Sequence, residues 1–134
     1  MKLRGHTVSP GKAGGEAIIL EAPFSFLGEL DPDTGKLASP LNKHFGQDLR
    51  GKVIVTPTGK GSSMGPVISW YAMKAGNNPA AIICLKAEAI LASAAIMAGI
   101  PMVDKLDKNP LELIRSGDYV EVDATAGIVE TGNR

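Results

Sequence analysis

Cysteine is nearly absent from this chain. Cys84 stands alone, inside the apolar run Ala80-Ala81-Ile82-Ile83-Cys84-Leu85. A single thiol excludes an internal disulfide and cannot by itself hold a zinc ion or an iron–sulfur cluster. Its surroundings predict a small buried hydrophobe. Aromatics are scarce too, at 4%, and they do not interleave with Lys or Arg, which argues against a base-stacking platform. Neither charge sign is in excess: 14 basic residues balance 14 acidic ones without a long block of either, where a nucleic-acid binder carries a basic face or stripe. The stretch nearest to a membrane span, residues 87–103, ends in Gly99-Ile100-Pro101 and falls short of about 18 apolar residues. Met1-Lys2-Leu3-Arg4-Gly5-His6 lacks the apolar run of a signal peptide. The expectation is a soluble, cytoplasmic protein that meets neither nucleic acid nor membrane.

What is present is apolar and aliphatic. Residues of the apolar class make up 44% of 134, enough for one domain, 1–134, with a core of Ala, Val, Ile, Leu and Met. The front half reads as strands and irregular loops. Ala17-Ile18-Ile19-Leu20 is a short apolar run between Gly14-Gly15 and Pro23, and Phe24-Ser25-Phe26-Leu27-Gly28 alternates before the turn sequence Asp31-Pro32-Asp33-Thr34-Gly35. Residues 36–50 have no period, which predicts a long loop over the core. The second half alternates strand and helix: Val53–Val55, a helix from Val67 to Ala75 stopped by Gly76, a buried strand at Ala80–Leu85, an Ala-rich helix over Glu88–Ala98 stopped by Gly99, and a strand at Ile100–Val103. Asn109-Pro110 starts a further helix that Gly117 ends, and Tyr119–Asp123 and Ile128–Glu130 read as strands. The fold class is α/β with a β-rich front half and no repeats.

The stretch with most chemistry in it is Gly59-Lys60-Gly61-Ser62-Ser63-Met64-Gly65-Pro66, between the strand at Val53 and the helix at Val67. Its glycines permit a sharp turn and close approach, and Pro66 suits the first turn of a helix. Two hydroxyls therefore sit by the unpaired N–H groups of a helix N-terminus, a place that stabilises anions, an alkoxide included. The plain alternative is a serine-capped helix start. The stretch matches neither a phosphate loop, which needs Gly-Lys-Ser/Thr, nor a Gly-x-Ser-x-Gly nucleophile elbow. Only His6 and His44 are available for a Ser-His-acid triad.

Gly61-Ser62-Ser63 between strand and helix resembles the glycine-serine-serine turn of aconitase-type swivel domains, and most closely the stand-alone swivel subunit of the aconitase X group. Ser25-Phe26-Leu27-Gly28 with Asp31-Pro32 and Thr34-Gly35, Gly51-Lys52-Val53, and Asn78-Pro79-Ala80-Ala81-Ile82-Ile83 carry the same resemblance, over residues 11–130. It implies a single swivelling β/β/α domain and a hydro-lyase reaction, the removal of water from 5-phosphomevalonate to give trans-anhydromevalonate 5-phosphate in an archaeal mevalonate pathway. It implies a heterodimer with a large subunit that holds the [4Fe-4S] cluster, in keeping with the lone Cys84. Ser62 maps onto the base and Ser63 onto a substrate-binding or base-orienting group, with Gly61 and Lys60 completing the substrate-binding set. One departure is clear: aconitases follow the two serines with arginine, and this chain has Met64. Lys60, the loop amides or the large subunit would then supply what the arginine supplies.

Within the same class, bacterial relatives resemble hydroxyproline dehydratases. A different class, the phosphohistidine swivel domain, is echoed by Gly99-Ile100-Pro101-Met102-Val103 and by Ser116–Asp123 with Gly127, but its histidine position holds Ile90. His44 reads as a solvated loop histidine, with contact to a substrate phosphate as the alternative. Asp31 and Asp33 read as turn formers, and Trp70 and Tyr71 as core or subunit-interface residues.

Overall fold

The computed structural model describes residues 1–132. In chain order the elements are β1 (Lys2–Arg4), β2 (His6–Ser9), β3 (Lys12–Ile19), α1 (Phe26–Glu29), β4 (Val53–Thr56), α2 (Gly65–Lys74), β5 (Ala81–Cys84), α3 (Ala89–Ala98), β6 (Met102–Asp104), α4 (Pro110–Leu113), β7 (Tyr119–Asp123) and β8 (Ile128–Thr131). The strands form one mixed sheet in the order β1-β8-β7-β3-β4-β5-β6-β2. Strands β3 to β6 are parallel, β1, β8, β7 and the start of β3 are antiparallel, and β2 runs antiparallel to β6. Strand β3 serves both halves, since Lys12–Glu16 pair with β7 and Ala17–Ile19 with β4. Strands β1 and β2 occupy opposite edges, yet only Gly5 separates them in sequence, so the sheet has to curl until its edges meet. Gly5 N–H closes the seam on Gly127 O at 2.8 Å.

Curling gives the sheet an inner and an outer core. Successive strand residues face opposite ways. Val53, Val55, Ala81 and Ile83 thus point inward to Leu3, Val103, Val120, Val122 and Val129. Ile54, Ile82 and Cys84 point outward to Ala72, Leu91, Ala94 and Ala95 of the helices. All residues of β4 and β5 are buried, as expected of central parallel strands covered on both faces. The result is the β/β/α arrangement that the aconitase X resemblance implies.

Several local readings differ from this outcome. Strand β3 begins at Lys12, so Gly14-Gly15 lies inside a strand. Both glycines mark close approach: a β-carbon at Gly14 would lie 2.7 Å from the Tyr119 hydroxyl, and one at Gly15 would lie 2.1 Å from Gly51 O. The alternating segment at Phe24 makes one bridge to Gly59 and then a tight turn, α1, whose Leu27 (ψ 121°) and Gly28 (φ +82°) are not helical, in place of a strand. Phe24 and Phe26 both point into the core, edge to face with centroids 5.2 Å apart. Helix α4 is a single turn, capped by Asn109, and Gly117 turns the chain into β7 with φ +95°. Residues 36–50 are the long irregular loop expected, anchored by the buried Leu37 and Leu49.

Candidate active site at the serine turn

Strand β4 delivers its chain to the carboxyl edge of the parallel strands, where open α/β sheets place their ligands. The first part of the exit is tied down. Thr56 Oγ1 donates to Ala22 O at 3.0 Å, Phe24 N–H to Thr58 O at 3.0 Å, and Lys60 N–H to Phe24 O at 3.0 Å. Phe24 and Gly59 thereby form a parallel bridge. Gly59 is buried against α3, and a β-carbon there would lie 2.5 Å from Leu91 Cβ and 2.9 Å from Glu88 Oε1.

Past Lys60 the chain is held by its backbone alone. Ser62 N–H turns back to Lys60 O at 3.0 Å, and Gly65 N–H donates to Ser62 O at 2.9 Å. Met64, in place of either serine, occupies the N-cap of α2, with a right-handed backbone and no side-chain cap. The serine-capped reading is thereby corrected. Among the described residues, the hydroxyls of half-buried Ser62 and exposed Ser63 form no hydrogen bond, and neither do the N–H groups of Ser63 and Met64. Helix α3, which starts on the same edge, is the opposite case. Glu88 turns its carboxylate onto its N-terminus, accepting from Ile90 N–H at 2.7 Å and Leu91 N–H at 3.0 Å. Of the two helix starts on this edge, only that of α2 keeps donors open toward an anion.

The glycines of the turn also need correcting. Gly59, Gly61 and Gly65 all lack a positive φ. At Gly61 the nearest atoms to an added β-carbon are Glu88 Oε2 at 3.7 Å and Ile90 Cδ1 at 3.9 Å, ordinary contacts. The turn needs Gly59 for packing, whereas nothing among the described residues requires glycine at 61.

Lys60 is not a free cation. Its Nζ lies 2.5 Å from Glu29 Oε1, and the other oxygen of Glu29 accepts the Ser25 N–H at 3.0 Å. The Glu29 side chain is only 11% exposed and that of Lys60 55%. Ser25 in turn caps α1 by accepting the Leu27 N–H at 3.2 Å. Sequence reading missed Glu29. Its signal was a reciprocal cap with a serine and a glutamate four positions apart, one residue longer than the usual capping box.

The remaining candidates lie elsewhere. Asp31 Oδ1 accepts the Asp33 N–H at 2.9 Å, a turn former as expected. His44 is half-buried, with Nδ1 3.1 Å from Gln47 Nε2 and a buried, unpartnered Nε2, so it is not a freely solvated histidine. Trp70 and Tyr71 are exposed on α2 and take no part in the core. Ile90, at the phosphohistidine position, sits in the first turn of α3 beside the serine turn. Cys84 is fully buried, and burial together with the charge of Asp104 pushes its thiol up to about 12. No group of three or more His, Cys, Asp or Glu side chains that could hold a metal occurs among the described residues. The donors present therefore do not fit an iron–sulfur cluster.

The model of the aconitase X swivel domain matches residues 2–131. The chain belongs to the aconitase X swivel-domain family. Within it, the chain is 45% identical to the phosphomevalonate dehydratase small subunit of Methanocella arvoryzae over 130 residues, 97% of this chain and 98% of that one. It is likewise 45% identical to the protein of the same name from Thermococcus onnurineus, over 97% of this chain and 98% of that one. Among solved structures it resembles holo aconitase X of Thermococcus kodakaraensis, with a TM-score of 0.92, 41% identity and 99% of each chain covered. A UPF0107 protein solved by solution NMR superposes with a TM-score of 0.90 at 36% identity, covering 99% of this chain and all of that one. Aconitase X swivel domains thus share this curled sheet with its two outer helices. A small subunit implies a larger partner. Among the described residues no helix is long and apolar enough to cross a membrane.

Proposed function

We propose that this chain is the small subunit of a phosphomevalonate dehydratase, with Ser62 as the proton acceptor. The observation that carries the reading is the open start of α2, where two hydroxyls and two N–H groups in consecutive residues have no partner among the described residues, at the carboxyl edge of the sheet. The near full-length likeness to small subunits of that name supplies the reaction. In the elimination the bond to the proton beside the carboxylate breaks, its electron pair forms the carbon–carbon double bond, and the hydroxyl leaves the adjacent carbon with its bonding pair as hydroxide, for which the larger subunit would supply the Lewis acid. Ser62 takes the proton as an alkoxide. A serine is too weak a base in water, and the helix N-terminus with its unpartnered N–H groups stabilises the anion once the larger subunit has covered the open turn and excluded water. Ser63, beside it and exposed, binds substrate. Lys60 is paired with Glu29, so the role of the arginine missing at Met64 falls to the loop amides and the partner. Gly61 leaves the turn open to that approach. The [4Fe-4S] cluster of this reading resides on the larger subunit, and the heterodimer works in the cytoplasm, where Cys84 stays reduced.

Steady-state kinetics of the reconstituted pair test the assignment. Ser62→Ala is expected to lower kcat by about two orders of magnitude or more, within the range for a positioned base, with a much smaller change in KM. Ser63→Ala is expected to be milder and to raise KM. Near-normal turnover of Ser62→Ala at an unchanged melting temperature ends the assignment and passes it to Ser63.

A further inference from the structure

Helix α3 has the composition of an interior helix. Ala89-Ile90-Leu91-Ala92-Ser93-Ala94-Ala95-Ile96-Met97-Ala98 contains no charged residue, whereas a helix with one face in water normally keeps that face polar. Leu91, Ala94, Ala95 and Ala98 are buried against the sheet and α2, yet Ile96 is 57% and Met97 55% exposed on the other side. On α2, Gly65, Ser69 and Ala72 face inward, and Ser69 Oγ donates to Ala94 O at 3.0 Å to fix the two helices together. That leaves Val67, Trp70 and Tyr71 outward, Tyr71 at 59%. Val67, Trp70, Tyr71 and Met97 line one open groove of about 270 Å³. Other exposed apolar side chains, such as Leu41 and Tyr119, lie on other elements.

The groove and the serine turn are neighbours. Ile90, seven residues before Met97 and on the same face of α3, comes within 3.5 Å of a β-carbon placed at Gly65 and within 3.9 Å of one placed at Gly61. Val67 stands four residues after Ser63 on α2. Whatever reaches Ser62 from outside therefore meets the groove within one or two helical turns.

We infer that this face of α2 and α3 is the docking surface for the larger, cluster-bearing dehydratase subunit, which covers it with an apolar surface of its own. This rests on the two-subunit reading above. Under that reading the partner has to reach Ser62, so a single contact covers both the turn and the groove. A second copy of this chain fits less well. It would bring to the turn no group of metal-ligating side chains from among its described residues, and its own cysteine is sealed in its core. The residue types agree, because Trp, Tyr and Met are those enriched at the desolvated centres of interfaces. Trp70 is also held ready, edge to face with Tyr71 at 5.7 Å and with Lys74 Nζ 4.9 Å from its ring centre.

The test uses the cognate large subunit, purified anaerobically, with Kd measured by calorimetry and turnover measured at saturating large subunit. Trp70→Glu and Met97→Glu are expected to raise Kd about tenfold or more, with kcat at saturation within about twofold of the unsubstituted pair. Ser62→Ala is expected to do the reverse, and Leu41→Glu and Tyr119→Glu to do neither. Should a glutamate variant fail to fold, Met97→Gln and protection of α2 and α3 from hydrogen exchange on adding the large subunit read out the same contact. Unchanged Kd for folded variants, or no added protection, overturns the docking face while leaving the base assignment standing. An isolated chain that dimerises through Trp70, with large-subunit binding unaffected by Trp70→Glu, overturns it in favour of a self-contact. If the unsubstituted chain does not bind the large subunit at all, the two-subunit reading itself falls.

Discussion

Removing Lys60 leaves the Glu29 carboxylate inside the protein with only the Ser25 N–H to accept, whereas neutralising Glu29 leaves an ammonium that can turn into water. The two halves of this pair are therefore expected to differ in mutation. Lys60→Met should cost about 1–3 kcal/mol, the penalty of a buried charge stripped of its partner. Glu29→Gln keeps the shape and an acceptor for Ser25, and should cost less than about 1 kcal/mol, in line with a half-exposed pair. Both should lower kcat, since the backbone of Lys60 is the last fixed point before Ser62 and small misplacements of a base are expensive. Denaturant melts of the two variants, with kinetics of the reconstituted pair, decide it. Equal losses of stability would show that Glu29 is effectively solvated and that the pair is decoration.

At the scale of elements, the serine turn has one end clamped and the other free, and its glycines report which is which. Gly59→Ala drives a β-carbon into Leu91 and Glu88, so the first turn of α3 must move. The expected loss is about 1–3 kcal/mol, typical of overpacking. Gly61→Ala meets nothing closer than 3.7 Å and is expected to leave the melting temperature of the isolated chain almost unchanged. Its effect belongs to the assembled enzyme, where an extra methyl group at the open turn blocks approach and lowers kcat/KM. Thermal melts of both variants beside the kinetics of the pair separate the cases. A stable Gly59→Ala protein would mean that α3 yields at no cost and does not brace the turn. The helices themselves obey local rules: Gly99 ends α3 in the left-handed conformation at φ +69°, and Gly76 follows α2 at φ +74°.

For the whole molecule, Cys84 is a probe of global unfolding. The thiol lies between the sheet and the helices with no exposed surface and keeps its proton up to about 12. Labelling by iodoacetamide at pH 8 is expected only as fast as the core opens, because the thiolate is the reactive form. The same shift links stability to pH. The ordinary value is 9.0 and the folded value about 12, so the unfolded chain gives up this proton first as pH rises. This contribution is whole below pH 9 and is lost progressively above it, by up to about 1.4 kcal/mol per unit. Cys84→Ala lacks that term, so its stability should fall less steeply above pH 9 than that of the unsubstituted chain. Parallel slopes, or fast labelling of the native protein, would show that the thiol meets water.

What the sequence determined by itself is whatever acts within a few residues or is carried by composition. The apolar runs at Val53 and Ala81 are strands, glycines stop α2 and α3, Pro66 opens α2, and one cysteine cannot by itself ligate an iron–sulfur cluster. The serine turn was legible for the same reason, since strand, glycines, hydroxyls and proline follow one another directly, and with its companion motifs it identified the family. Tertiary structure decided the rest. The short strands β1 and β2 have little period of their own and become strands by pairing with β8 and β6, on opposite edges of a sheet that curls to join them. Gly14 and Gly15 looked like a boundary because a glycine required by a neighbour's close approach is indistinguishable, in one dimension, from a glycine that turns the chain. Lys60 looked free because Glu29 is 31 residues away in sequence and reaches it only once Phe24 has paired with Gly59. The exposed groove of α2 and α3 was equally hidden. An apolar residue is written the same way whether it faces the core or a partner, and only the packing of the helices on the sheet tells which way it points.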